Sequence, residues 1–324
     1  MLILGLQGSP RRGGNTDILL AAFMEKAARA GAAVKTIQAA RAGVTACIGC
    51  GHCETHGTCV IADDPMSAEI YGLLREADVV VAASPVFFYG VTAQLKLLID
   101  RSQTLWSRKY RLKLKDPLAR TRKGLLLSVA ASHGRQLFEG VHLTTAYFFD
   151  AIDAQFDHTL TYRGIESKGA VRQQEGLAAD IDAAVATIVL PQVNRKKVLF
   201  LSAEGACRSP MAAALAQQRY GELVRTGAGA PRPAPEWSAP MVRSMQRIGV
   251  DMGYRRPHAA DQALYGDRPD LTVILGEDVE EIPTSASPTV RWSIPKPTAA
   301  DDESMEQTRR QIETQLETLM QRFA

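Results

Sequence analysis

The chain has 324 residues, of which 46% are hydrophobic, and its formal net charge is +3 at pH 7. This length exceeds one ordinary domain, and the small net charge does not favour nucleic acid as a partner. No apolar stretch reaches the roughly 18 residues of a membrane span, and the short apolar start, residues 1–8, lacks the basic residues of a secretion signal. Basic residues concentrate at 108–123, which we interpret as a solvated loop. We therefore expect a cytoplasmic protein that binds neither nucleic acid nor a membrane.

The cysteines are unevenly distributed. Four of the five lie between positions 47 and 59, and the fifth is Cys207. Thiols stay reduced in the cytoplasm, and a disulfide framework would spread its cysteines along the chain. The pattern therefore indicates a site.

The first half of the chain alternates strand patterns with helical patterns. Near-continuous apolar runs at 2–7, 77–82 and 124–130 predict buried strands, and residues 33–37 and 155–162 predict two more. Buried strands separated by helices are typical of a parallel sheet that is covered on both faces. An α/β fold follows from this pattern.

A second strand, loop and helix begin near residue 198, after a polar segment that we interpret as a linker. Both halves thus start in the same way, as many nucleotide-binding and phosphate-binding folds do. The predicted organisation is a first domain at 1–190 that contains a cysteine loop at 44–62, a linker at 191–196 and a smaller second domain at 197–324.

The loop after the first strand, residues 8–16, is rich in glycine and short polar residues. Small residues let backbone N–H groups converge on an anion, and the start of the following helix adds partial positive charge. An ordinary turn with a helix cap is the alternative. We predict that this loop binds a phosphate group through Ser9, Arg11, Gly14, Asn15 and Thr16.

This loop resembles the phosphate loop of the NAD(P)H-dependent FMN reductase and flavodoxin-like superfamily. Residues 84–90 also resemble the superfamily's loop that lines the flavin ring, and the resemblance spans residues 1–185. It implies a flavodoxin-like, doubly wound sheet that holds FMN, although the aromatic residues of the second loop could instead be core. The implied ring contacts are Pro85, Val86, Phe87, Phe88, Tyr89 and Gly90, with a weaker one at Ser132.

The four clustered cysteines, Cys47, Cys50, Cys53 and Cys59, have the spacing C-x2-C-x2-C-x5-C. A compact loop of this kind can supply four thiolates to an iron–sulfur cluster, whereas structural zinc usually uses two separated knuckles. Zinc and unligated redox-active thiols remain alternatives. Together with the flavin loops, the motif resembles the iron–sulfur flavoprotein family. That resemblance implies a [4Fe–4S] cluster near FMN, electrons from NAD(P)H or a ferredoxin-like protein, and a homo-oligomer.

Residues 198–210 resemble the signature of low-molecular-weight protein tyrosine phosphatases and arsenate reductases, and the resemblance covers 197–324. It implies a second α/β domain of that fold. Ser202 occupies the position of the nucleophilic cysteine, Glu204 replaces a loop glycine, and Lys296-Pro297 replaces the Asp-Pro of the general acid. Because a serine without a base stays protonated, we predict a catalytically inactive domain.

Three other functions of the second domain remain open, one of which is that of a scaffold or oligomerisation domain. It could retain phosphatase or arsenate reductase activity through Cys207, or it could serve as a non-catalytic anion or redox sensor. An anion would then lie against Ser202, Arg208 and Ser209.

Overall fold

The computed structural model describes residues 1–279, 287–297 and 301–323. The chain divides into two compact units, Met1–Lys113 with Thr121–Val193, and Leu114–Arg120 with Asn194–Ala324. Each unit has its own parallel sheet. Within the described residues, no helix is both long and apolar enough to cross a membrane.

The described residues of the first unit form a sheet of five parallel strands in the order β2-β1-β3-β4-β5. This is the flavodoxin-like order, and it confirms the predicted fold class. The central strands are buried along nearly their whole length because helices cover both faces of the sheet. The strands are β1 Leu2–Gln7, β2 Ala33–Gln38, β3 Val79–Pro85, β4 Lys123–Val129 and β5 Gln155–Tyr162.

Helices connect these strands and contribute apolar side chains to the core. The first helix buries Leu19, Leu20 and Phe23, which lie on one face because their spacing follows the helical repeat. The helices are α1 Asn15–Arg29, α2 His52–His56, α3 Tyr71–Glu76, α4 Ala93–Arg101, α5 Gln103–Tyr110, α6 Glu139–Ala151, α7 Leu177–Ala184 and α8 Leu190–Val193. Wide helical turns at Met66–Ile70 and Val185–Val189 lead into α3 and α8.

The interpretation of residues 108–123 as a solvated loop is wrong. Helix α5 extends to Tyr110, and Arg108 and Arg122 are both buried. Residues Leu114–Arg120 belong to the second unit, where Asp116 accepts a hydrogen bond from Arg255 over 2.7 Å. The run of basic residues did not indicate this burial, because each of these buried charges has partners far away in the sequence.

The described residues of the second unit form four parallel strands in the order β7-β6-β8-β9. Its core packs α9 and α11 against β6 through residues such as Phe200, Met211 and Leu316. The predicted linker, 191–196, takes in the end of α8 and the first residue of β6. The elements are β6 Lys196–Leu201, α9 Arg208–Tyr220, β7 Val224–Gly229, α10 Ala239–Arg247, β8 Leu271–Leu275, β9 Thr289–Trp292 and α11 Asp302–Met320.

Arg122 is expected to be important for the stability of the first unit. Its guanidinium donates hydrogen bonds to the carbonyls of Ala77, Ile152 and Arg75 over 2.9, 2.6 and 2.7 Å. Arg122→Met leaves these buried carbonyls without that donor, so the free energy of unfolding should fall by about 3 kcal/mol. Urea unfolding followed by circular dichroism measures the loss.

The matched control is Arg29→Met, since Arg29 is an exposed arginine paired with Glu25 on the surface of α1. An exposed pair contributes about 1 kcal/mol or less. Equal losses for the two variants would contradict a special role for Arg122.

Candidate functional site

Loops that follow β1, β3 and β4 meet at the carboxyl edge of the first sheet. The Gly8 N–H donates to the Ala83 carbonyl over 2.7 Å, and the Thr92 hydroxyl donates to the Gly8 carbonyl over 2.7 Å. A Cβ atom on Gly8 would lie 2.9 Å from the Ala83 oxygen, so only glycine fits there. The loop after β1 is therefore held directly against the loop after β3.

The predicted phosphate loop is also braced by its own side chains. The Arg11 N–H donates to the Ser9 hydroxyl over 3.2 Å, and the Gly13 N–H donates to Asp17 over 2.8 Å. Ser9, Gly14 and Thr16 are buried, whereas the Arg11 side chain is exposed. Arg11 is thus open to an anion from solvent, as is its exposed neighbour Arg12.

Asn15 has contacts that the sequence did not indicate. Its amide nitrogen donates to the Ser167 carbonyl over 2.9 Å, and its amide oxygen accepts from the Gly169 N–H over 2.8 Å. The side chain predicted to contact phosphate is therefore engaged with the loop after β5. It brings residues 165–171 to the edge of the sheet where the other loops meet.

The loop after β3 contains a tight turn with exposed aromatic side chains. Phe87 and Gly90 exchange two backbone hydrogen bonds of 2.9 Å, and between them Phe88 and Tyr89 have φ values of 48° and 62°. Two adjacent aromatic residues in the left-handed region are unusual, and such strain concentrates at binding sites. All three aromatic residues are exposed. The alternative that they are plain core is wrong.

The loop after β4 lies beside this turn. The Val86 N–H donates to the Val129 carbonyl over 3.2 Å. A Cβ atom on Gly134 would lie 2.5 Å from the Tyr89 hydroxyl. Ser132 is exposed in the same loop. The structure therefore brings the predicted phosphate loop, the 85–90 loop and Ser132 to one edge of the sheet.

The cysteine loop lies on the first unit between β2 and β3. Its three glycines, Gly49, Gly51 and Gly57, have φ values of 66°, 71° and 67°, which favour glycine. The four free cysteines line one cleft of about 190 Å³. Within the described residues, no group of three or more His, Cys, Asp or Glu side chains is arranged to hold a metal ion. The loop gathers the thiols in one cleft without placing them at ligand distances.

Arg101, the last residue of α4, lines the same cleft and was missed in the sequence. One terminal nitrogen donates to the Thr45 carbonyl over 2.9 Å and to Asp64 over 2.5 Å, and the other donates to the Ile61 carbonyl over 3.2 Å. Burial is the largest single influence and disfavours its charge, but the hydrogen bond with Asp64 together with Tyr71 and Cys59 outweighs burial and raises the pKa of Arg101. Arg101 therefore joins the chain before and after the cysteines as a permanent cation.

Helix α5 supports the cysteine loop from a second side. The Ser107 hydroxyl donates to the Cys53 sulfur over 3.5 Å, and Arg108 donates to the Gly57 carbonyl over 2.9 Å. A Cβ atom on Gly57 would lie 2.7 Å from the Arg108 guanidinium. The glycine is needed here for this close approach as well as for its backbone conformation.

The phosphatase-like loop of the second unit is closed by internal hydrogen bonds. The Ser202 and Ser209 hydroxyls lie 2.8 Å apart. Arg208 donates to Asp278 over 2.5 Å and to the Ile294 carbonyl over 3.0 Å. The side chains predicted to hold an anion are thus brought together, but the arginine is already neutralised by a carboxylate.

Two of the residues that depart from the phosphatase pattern contact each other. The Lys296 ammonium lies 3.3 Å from the Glu204 carboxylate. Together with the pair of Arg208 and Asp278, this contact balances the charges that line a pocket of about 340 Å³. A balanced pocket attracts an anion less than an unpaired arginine would.

Comparison with known protein families gives one match in each part of the chain. Residues 1–149 match the NADPH-dependent FMN reductase family, and residues 197–324 match the low-molecular-weight phosphotyrosine protein phosphatase family. The chain therefore has a flavodoxin-like FMN reductase domain followed by a low-molecular-weight phosphatase-like domain. The resemblances of the two domains to these two families, noted in the sequence, are confirmed.

Three curated relatives are described as iron–sulfur flavoproteins. One from Methanocaldococcus jannaschii is 42% identical over 105 residues, which cover 32% of this chain and 53% of that protein. One from Methanosarcina thermophila is 39% identical over 115 residues, covering 36% and 59%. A second from M. jannaschii is 27% identical over 190 residues, covering 55% and 90%. The chain spans only about half the length of the first two.

Cys207 should react slowly with alkylating agents. Burial raises the pKa of its thiol to about 11, although Arg208 and Lys296 act in the opposite direction. Because the thiolate is the reactive form, alkylation by iodoacetamide should increase about tenfold per pH unit from pH 8 to 10 without a plateau. Mass spectrometry of the Cys207 peptide measures the rate.

The control is the same peptide in urea-unfolded protein, where the thiol should titrate in its ordinary range. A plateau near pH 8 in the folded protein would show that the thiol is ionised at neutral pH, and would contradict this prediction.

Proposed function

We propose that this chain is an FMN-dependent oxidoreductase that also carries a [4Fe–4S] cluster. Electrons would come from NAD(P)H or a ferredoxin-like protein and pass to a small-molecule or protein acceptor. The observation that carries the proposal is the meeting of three loops at the sheet edge of a domain whose residues 1–149 match FMN reductases. The relatives described as iron–sulfur flavoproteins support the cluster.

The residues at the sheet edge have chemistry that suits FMN. The phosphate would bind where the loop at 8–14 enters α1, because the start of a helix favours an anion and Arg11 adds an exposed cation. The ring would lie against the turn at 87–90 and the loop containing Ser132, where aromatic side chains and backbone amides cover a flat polar molecule. Bound FMN would supply exchange between two-electron and one-electron carriers.

The cysteine loop has the donor set of an iron–sulfur centre. Four free thiols line one cleft, and three glycines with positive φ turn the chain between them. Gly49 and Gly51 have no neighbouring atom within 4 Å of a Cβ position, so the thiols have room to close around a cluster. Zinc is the alternative occupant, and elemental analysis distinguishes the two.

We further propose that the protein works in the cytoplasm as a homo-oligomer. Four cysteines clustered in one loop, unlike the spread cysteines of a disulfide framework, favour a reducing compartment. The fully exposed Phe88, with Tyr89 beside it, is the kind of apolar surface that a second protein surface covers.

The second domain is proposed to lack phosphatase and arsenate reductase activity. Its loop has Ser202 in place of a thiolate, and the cysteine next to the loop arginine is the partly buried Cys207, whose pKa is raised. A non-catalytic anion or redox sensor, or a scaffold or oligomerisation domain, is the remaining role. Because Arg208 is paired with Asp278, a role of this domain in sensing redox state or a partner is favoured over a role in binding an anion.

Cysteine substitution tests the oxidoreductase. Cys50→Ser removes one of the four ligands, so the protein purified without air should lose most of its iron and retain FMN. Cys207→Ser is the matched control, because Cys207 lies in the other unit, and it should retain both. Iron, zinc and flavin analysis with visible spectra measures this. A wild-type protein that contains zinc in place of iron, or contains no flavin, would refute the proposal.

A phosphatase assay tests the second domain. Wild-type protein and Arg208→Ala should hydrolyse p-nitrophenyl phosphate at the same background rate, because the loop has no nucleophilic thiolate. Turnover that disappears in Arg208→Ala and persists in Cys50→Ser would instead assign a hydrolase to this domain.

A further inference from the structure

Arg101 is a buried cation in the wall of the cysteine cleft. Its side chain is fully buried, and it lines the cleft together with all four clustered cysteines. Its two terminal nitrogens donate to oxygen atoms of Thr45, Ile61 and Asp64. These acceptors flank the cysteine loop on both sides, so a single guanidinium holds the two ends of the loop together.

One N–H group of this guanidinium takes no part in these hydrogen bonds. The Nε–H of Arg101 is buried and has no hydrogen-bond partner among the residues that the structure describes. A buried N–H without a partner costs about 1–3 kcal/mol. The side chain that bears it stands in a cleft lined by four thiols, and sulfur is an acceptor for N–H groups.

We infer that Arg101 positions the cysteine loop and donates its Nε–H to a sulfur atom of the bound cluster, and thereby raises the reduction potential of that cluster. This inference rests on the proposed function, since it requires an iron–sulfur cluster in the cleft. Hydrogen bonds to sulfur and nearby positive charge both stabilise the reduced, more negative cluster. The pair with Asp64 orients the guanidinium and keeps it charged.

Lysine cannot replace arginine in this role. An ammonium group keeps the positive charge, but it lacks both the planar fork that reaches Thr45, Ile61 and Asp64 together and the additional Nε donor. Arg101→Lys therefore separates the hydrogen bond from the charge. Arg101→Gln removes the charge as well.

The experiment compares Arg101→Lys and Arg101→Gln with wild type, all purified without air. Arg122→Lys is the matched control, because Arg122 is an equally buried arginine of the same unit that donates to main-chain carbonyls and does not line the cleft. The measurements are iron per FMN, the midpoint potential of the cluster in a redox titration followed by electron paramagnetic resonance, and hydrogen exchange of residues 44–62 in the iron-free protein.

Both Arg101 variants should show faster exchange of residues 44–62 and partial loss of iron. The cluster that remains in Arg101→Lys should have a more negative potential, with its reduction equilibrium weakened about tenfold, which is 59 mV for one electron. The cluster in Arg101→Gln should have a still more negative potential, because this variant also lacks the positive charge. Arg122→Lys should lose stability and leave the potential unchanged.

Asp64→Asn provides a second route if the Arg101 variants do not fold. It retains the guanidinium and removes the carboxylate that orients it, so residues 44–62 should exchange faster in the iron-free protein. An unchanged potential in iron-loaded Arg101→Lys, or unchanged exchange of residues 44–62 in Asp64→Asn, overturns this inference and leaves the proposed function standing. A wild-type protein without iron overturns the proposed function itself, and the exchange of residues 44–62 then still tests the loop-positioning role of Arg101.

Discussion

Parallel strand pairing in the first sheet determines where chemistry can occur. β1, β3 and β4 are adjacent and run in the same direction, so the loops that follow them emerge at one edge. The strands themselves are buried on both faces and leave no room for a ligand. Short contacts such as the one between Gly8 and Ala83 then join neighbouring loops into one surface. The proposed flavin site is a consequence of this arrangement.

Buried arginines hold the irregular parts of the first unit in place. Arg101 and Arg108 donate to backbone carbonyls of the cysteine loop, and Arg122 donates to carbonyls at the opposite ends of the strands. Arg101 and Arg122 each use several donors of one rigid planar group, which lysine cannot do. A loop of small residues and cysteines has little apolar surface to bury, so hydrogen bonds from cations take the place of a core.

In the second unit, ion pairs change the electrostatics of the phosphatase-like loop. Glu204 would repel an anion if it stood alone, but Lys296 neutralises it, and Asp278 neutralises Arg208. The two departures from the phosphatase pattern are therefore coupled, because each one supplies the charge that the other requires. The second unit has the phosphatase-like fold, but its loop attracts phosphate less strongly because its charges are paired.

The sequence by itself determined the two α/β domains, the strands and loops of the first domain, and the cysteine spacing, because these depend on local patterns of apolar residues, glycines and thiols. Only the tertiary structure decided the partners of Asn15, which lie more than 150 residues away, the role of Arg101, and the pairing of Glu204 with Lys296. The sequence also did not predict that Arg108 is buried. These features depend on hydrogen bonds and ion pairs between distant segments, and no local pattern encodes such partners.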